Sequence, residues 1–204
     1  MIKIGLVGFG KAGQAVTQVL QEDPRYELCW IARRSVLAPE PTATAMHVPM
    51  VVLAAQADWT QWLNKHPVDA LVDFSGAESL ELYGEEVRLR GLMLVSAIST
   101  DLDYARSLGS SARVLCSPNI TVGINFLIMA ARLLRKIAPF ADVEIIEQHF
   151  REKPEVSGTA RKIAQSIEVE EERITSLRLG GIVGHHEVIF GFPYQTVRLI
   201  HNSI

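Results

Sequence analysis

An apolar run at residues 2–7 leads directly into Gly8-Phe9-Gly10-Lys11-Ala12-Gly13, and Ala12, Val16, Val19 and Leu20 then recur at helical spacing. A strand that empties into GxGxxG at the mouth of a helix constrains a fold more than any composition can. The first glycine permits a tight turn, the second lets a ligand approach the backbone, and the third lets helix and strand pack closely. The helix start then offers free N–H groups and partial positive charge to a phosphate. Pro24 punctuates, and residues 26–32 (YELCWIA) read as a second strand, completing a βαβ unit.

The alternation continues. After a looser stretch carrying Pro39, Pro41 and Pro49, short apolar runs at 51–54, 70–74, 92–97 and 113–116 read as strands. Helical patterns at 59–65, 79–90 and 102–107 separate them. This predicts a doubly wound parallel α/β sheet of Rossmann type over residues 1–118, with ligands at the strand C-termini. The texture changes near Pro118. Residues 124–137 (INFLIMAARLLRKI) form a long helix, apolar on most of its circumference and so expected to pack on two sides. A strand at 143–148, a helix over 160–167 and strands at 174–179, 187–190 and 196–200 complete a smaller α+β domain with a mixed sheet, residues 119–204.

The end of the second strand bears on the cofactor. An NAD site usually carries an acidic residue about 20 positions on, bonded to the ribose 2′-OH. Here that region reads Ala32-Arg33-Arg34-Ser35, with no carboxylate. Guanidiniums suit a 2′-phosphate, which favours NADPH with NADH as the alternative. The expected nucleotide-site residues are Gly8, Gly10, Lys11, Ala12, Gly13, Arg33 and Arg34. Phe74, Ser75, Ser96, Ile98 and Ser99 join them, just past two strands; ordinary turn chemistry is an equal reading of that second group.

Residues 147–160 (EQHFREKPEVSGTA) carry the densest chemistry. His149 ends a strand and can titrate near neutrality, while Lys153 can donate a proton. Ser157 can cap the next helix, and Ser157-Gly158-Thr159 presents hydroxyl and N–H groups to a carboxylate. From the residues alone, a capped helix after a polar loop and a catalytic site both stay open.

Glu147, His149, Lys153, Ser157, Gly158, Thr159 and Ala160 follow the order of a family hallmark, E-x-H-H-x-x-K-x-D-A-P-S-G-T-A. Asp73-Phe74-Ser75, Ser117-Pro118-Asn119 through Asn125, and Arg178 with residues 181–186 (GIVGHH) match further blocks. The chain therefore resembles 4-hydroxy-tetrahydrodipicolinate reductase (dihydrodipicolinate reductase), the NAD(P)H enzyme of lysine and diaminopimelate synthesis. The resemblance implies hydride delivery to C4 of a ring dicarboxylate, with His149 and Lys153 at the substrate and Lys153 donating a proton to the developing enamine. It implies that Ser157, Gly158, Thr159 and Asn119 hold or line the substrate, that the two domains close to bring nicotinamide to substrate, and that the chain works as a cytoplasmic homotetramer.

Three departures stand out. Phe150 replaces the second hallmark histidine, and Glu155-Val156 is one residue shorter than Asp-Ala-Pro. The family continues into a helix that packs back on the nucleotide domain, whereas the sequence given stops at Ile204, so a truncated or a short-form member is expected. The Phe150 change motivates an alternative, a reductase of another small imino or keto dicarboxylate. A non-catalytic nucleotide-binding module is the third reading.

Other classes find little support. The net charge of −3 offers no broad basic face for nucleic acid, and no window is long and apolar enough for a membrane span. Cys29 and Cys116 have no metal or disulfide spacing. His185 and His186, adjacent on a strand, point to opposite faces, so no metal site is expected.

Overall fold

The structure is a computed structural model, and it describes residues 1–33, 47–52, 58–76, 78–97, 102–117 and 119–203. The chain divides into two compact units, Met1–Pro118 and Asn119–Ile204.

The first unit runs β1 (Ile2–Val7), α1 (Lys11–Glu22), β2 (Tyr26–Arg33), β3 (Met50–Val52), α2 (Trp59–Lys65), β4 (Ala70–Asp73), α3 (Ser79–Arg90), β5 (Met93–Ser96), α4 (Leu102–Leu108) and β6 (Val114–Cys116). Its strands form one sheet in the order β3-β2-β1-β4-β5-β6, every neighbouring pair parallel. This is the Rossmann-type order, and its winding reverses between β1 and β4. The apolar character of β1 reflects that central place: Ile4, Leu6 and Val7 are buried.

Trp30, Leu71, Leu80, Tyr83, Val87 and Leu94 anchor the main core of this unit. Gly5 makes room for it, since a Cβ there would lie 2.2 Å from the Trp30 ring. The register of β1 on β2 shifts at the same point, between Ile4 and Gly5. Local signals set the helix ends. The Asp58 carboxylate accepts from the Gln61 N–H at the start of α2, and Gly91 closes α3 in the left-handed region at φ 62°.

The second unit runs α5 (Val122–Ile137), β7 (Asp142–His149), α6 (Gly158–Ser166), β8 (Ile174–Arg178), β9 (Gly184–Phe192) and β10 (Gln195–Ser203). The four strands lie in the order β10-β9-β7-β8; β7 is parallel to β8 and antiparallel to β9, and β9 and β10 form a hairpin. Side chains alternate along β7: Val143, Ile145, Glu147 and His149 are buried, whereas Glu144, Ile146 and Gln148 are half-buried. Val143, Ile145, Val188 and Phe190 pack with Ile124, Leu127 and Ala131 of α5 and with Ala160, Ile163 and Ala164 of α6.

One expectation is corrected here. Helix α5 buries Ile124, Leu127 and Ala131, but Phe126, Met129, Leu133 and Ile137 stay exposed. Within this chain it packs on one face, because the unit supplies a single sheet for it to cover.

Candidate active site

In the first unit the glycine turn has the geometry its spacing demands. Gly8 sits at φ 96°, which side-chain-bearing residues rarely adopt, and a Cβ there would meet the Ser75 backbone nitrogen at 2.6 Å. Gly13 packs so closely that a Cβ would fall 2.3 Å from the Gly8 carbonyl oxygen. A Cβ on Gly10, which precedes α1, would meet nothing within 4 Å among the described residues. The protein therefore leaves Gly10 open, as a pyrophosphate lying on the backbone requires.

Beside this turn, Asp73 ends β4 fully buried. Its carboxylate accepts from the Ser75 N–H at 2.8 Å, from the Ser75 hydroxyl and from the Tyr83 hydroxyl. Those bonds hold the Phe74-Ser75 turn against Gly8. A cavity here is lined by Val7, Gly8, Arg33, Trp59, Ser75 and Ser79 among others. Arg33 Nε is buried with no hydrogen-bond partner among the described residues. An open glycine cradle and a buried, unsatisfied guanidinium nitrogen at the end of β2 fit a phosphorylated nucleotide. Ser96 is buried at the end of β5, and Phe74 is half-buried. Lys11 and Ala12 begin α1. Arg34, Ile98 and Ser99 lie outside the described residues. Trp59, which lines the cavity, and Tyr83, which bonds Asp73, carry no sequence signal beyond that of packing aromatics.

In the second unit the centre is Glu147, with no exposed surface. Arg178 donates to both its oxygens, at 2.8 and 3.0 Å. The Ser176 hydroxyl donates at 2.7 Å and the Ser157 N–H at 3.2 Å, and His149 Nδ1 bonds the same carboxylate. Burial alone would raise the Glu147 pKa. The bonds from Arg178, Ser176, His149 and Ser157 outweigh it and hold it at about 2. A fixed carboxylate beside Nδ1 orients the His149 ring.

Arg178 also ties down the preceding polar loop, donating to the Lys153 carbonyl at 3.0 Å and the Glu155 carbonyl at 2.7 Å. The half-buried Lys153 has no partner for its ammonium among the described residues. Ser157 stands at the N-cap position of α6 but makes no side-chain cap bond. Its hydroxyl instead lies 2.9 Å from Nε2 of the buried His186. The Thr159 hydroxyl donates to Asn119 Oδ1 at 2.6 Å, and the Asn125 amide donates to the Asn119 carbonyl at 2.7 Å. The second unit thus brings His149, Ser157, Gly158, Thr159 and Asn119 together around one helix start. His185 and His186 diverge: His185 Nδ1 faces Asn202 Oδ1 at 2.7 Å, on the side away from Ser157. Among the described residues no group of three His, Cys, Asp or Glu could hold a metal.

Comparison with known proteins follows the same lines. The family model described as dihydrodipicolinate reductase, C-terminus, matches residues 119–204. The 4-hydroxy-tetrahydrodipicolinate reductase of Thermosipho africanus is 27% identical over 209 residues, covering 100% of this chain and 84% of that protein. The Myxococcus xanthus enzyme of the same name is 28% identical over 169 residues, or 69% of this chain and 62% of that protein. The match therefore spans less than two thirds of the Myxococcus enzyme's length. Among solved structures, dipicolinate-bound dihydrodipicolinate reductase from Paenisporosarcina shares the fold at a TM-score of 0.73 and 22% identity, covering 100% of this chain and 88% of that one. A Bordetella pertussis dehydrogenase in complex with NADH and UDP-GlcNAcA shares it at 0.59 and 13%, covering 99% and 80%.

Proposed function

Because the chain belongs to the dihydrodipicolinate reductase family, we propose that it reduces 4-hydroxy-tetrahydrodipicolinate to tetrahydrodipicolinate with NADPH, in lysine and diaminopimelate synthesis. The observation that carries this reading is the Glu147–Arg178 pair. It orients His149 and anchors the Lys153 loop beside the Ser157-Gly158-Thr159 helix start.

Loss of the 4-hydroxyl as water leaves C4 conjugated with the ring imine, and NADPH, when bound, would supply the hydride that adds there. Gly8, Gly10, Ala12 and Gly13 give the pyrophosphate an open backbone path and the N–H groups of α1. Arg33, with Arg34 and Lys11, offers charge to the 2′-phosphate; NADH is the second candidate. Phe74, Ser75, Ser96, Ile98 and Ser99 border the nucleotide. In the other unit the first-turn amides of α6, with Ser157, Thr159 and Asn119, hold a substrate carboxylate. His149 and Lys153 stabilise the negative charge that builds as the imine is reduced, and Lys153 gives the enamine its proton. A dicarboxylate substrate accounts for this local positive charge in a chain of net charge −3. The resemblance also supports assembly as a cytoplasmic homotetramer.

A second reading keeps the chemistry and changes the substrate. Phe150, partly exposed, stands where the family hallmark has a second histidine. One cationic contact is lost there, which suits another small imino or keto dicarboxylate. NADPH oxidation with enzymatically generated lysine-pathway substrate decides between the two. The first reading expects turnover, and a fall in kcat of about 10²–10⁴-fold in Lys153→Ala. Turnover of the other dicarboxylate alone would establish the second reading. An unaltered rate in Lys153→Ala would remove Lys153 from the mechanism.

A further inference from the structure

His186, on β9, is 4% exposed, and its ring stands edge-on to His149 at 5.3 Å between centroids. Nε2 lies 2.9 Å from Ser157 Oγ, while Nδ1 is buried with no hydrogen-bond partner among the described residues. Burial, then the neighbouring His149, holds its pKa down at about 4, with Glu147 pulling the other way. Near neutral pH the ring therefore carries a single N–H.

Two tautomers are available. With the proton on Nδ1, an N–H is buried without an acceptor, and the only proton of Ser157 is spent on Nε2. With the proton on Nε2, the orphaned atom is a lone pair, and Ser157 accepts a hydrogen bond and keeps its own proton to give. A carboxylate offers lone pairs only, so Ser157 serves it only as a donor. The neighbouring hydroxyl cannot substitute, because Thr159 already donates to Asn119 Oδ1. Ser157 is the hydroxyl of this turn with a proton to give.

We propose that His186 is a positioning residue: its Nε2–H donates to Ser157 Oγ, which turns the Ser157 proton outward to a ligand carboxylate. The inference rests on the reading of Ser157-Gly158-Thr159 as a carboxylate seat and goes beyond it. It names the group that makes the seat a donor, and it assigns Thr159 to the seat through its backbone N–H.

Calorimetric titration of the full chain with dipicolinate tests both levels. Gln at 186 can place an amide N–H near the Nε2 position, whereas Asn places its amide near Nδ1. Ser157→Ala and His186→Asn are each expected to weaken binding about tenfold, the scale of a hydrogen bond to a charged group. His186→Gln should stay within about threefold of the parent chain. The Ser157→Ala/His186→Asn double variant should bind no more weakly than Ser157→Ala alone, since the histidine acts through the serine.

If Ser157→Ala weakens binding but His186→Asn does not, or the two losses add, or Gln fails as badly as Asn, the proposal is overturned and the seat stands. If the parent chain does not bind dipicolinate, or Ser157→Ala binds unchanged, the seat itself is overturned and the proposal with it. Should the variants fail to fold, the ring ¹⁵N and ¹³C shifts of His186 in the dipicolinate-bound parent chain decide: Nε2–H supports the proposal and Nδ1–H overturns it.

Discussion

Glu147 and Asp73 are carboxylates with no exposed surface, and a charge so placed is tolerated only where donors surround it. For Glu147 the consequence is a pH dependence of stability. Its folded pKa of about 2 lies below the ordinary 4.5, so its contribution is present above pH 4.5 and is lost as pH falls towards 2. His186 acts at higher pH. Its folded pKa of about 4 lies below the ordinary 6.5, so between those values the unfolded chain binds a proton that the folded chain refuses, and stability again falls with falling pH. Each effect is about 3 kcal/mol. Thermal melts should show the midpoint falling first between pH 6.5 and 4 and again below 4.5, with His186→Asn losing the first fall; a flat profile from 6.5 to 4 would count against a buried neutral His186. Tyr83→Phe removes a hydroxyl donor from Asp73. It should cost about 1–3 kcal/mol in denaturant unfolding and weaken NADPH, because the Phe74-Ser75 turn it steadies abuts Gly8. Equal stability of the variant and the parent chain would show that the Tyr83–Asp73 bond does no structural work. At this scale the candidate acid–base pair and carboxylate seat could be read from the sequence, because His149, Lys153 and Ser157 are close together in it. Arg178 and His186 fall in a matching family block, but their pairing with Glu147 and Ser157, 31 and 29 positions away, could not be read from it.

Helix α1 and its glycine turn separate two requirements that the motif alone runs together. Gly13→Ala drives a Cβ onto the Gly8 carbonyl, so it should lower the melting temperature and NADPH affinity together. Gly10→Ala meets nothing among the described residues, so it should leave the melting temperature unchanged while weakening NADPH at least tenfold by intruding on the ligand. Fluorescence titration with NADPH checks both; a Gly10→Ala chain that binds like its parent would remove Gly10 from the cofactor path. Most elements could be placed from periodicity and from Gly and Pro punctuation, including α2 and α3, because those signals act within a turn or two. Helix α5 shows where periodicity runs out. Its sequence is apolar almost all round, and only the presence of one sheet face determines which residues become core.

Taken as a whole molecule, the chain presents two separately organised units, each with its own sheet and core. In the second, the helices cover the sheet face that carries Val143, Ile145, Val188 and Phe190, while Ile200 and Leu177 remain exposed. If subunits assemble through that open face, as the resemblance to a homotetrameric family implies, the parent chain should sediment as an oligomer. Ile200→Asp should then shift it towards monomer with unchanged circular dichroism; identical sedimentation of the two would exclude that face as the contact. Among the described residues no helix is long and apolar enough to cross a membrane. The amino-acid sequence by itself determined the glycine turn, the order of strands and helices, and the His149–Thr159 segment, because backbone limits at glycine and apolar periodicity act over a few residues. Tertiary structure alone decided that Glu147 meets Arg178 and that Ser157 meets His186. Those meetings depend on the register of β7 against β8 and β9, and register is set by which faces can be buried together rather than by spacing along the chain.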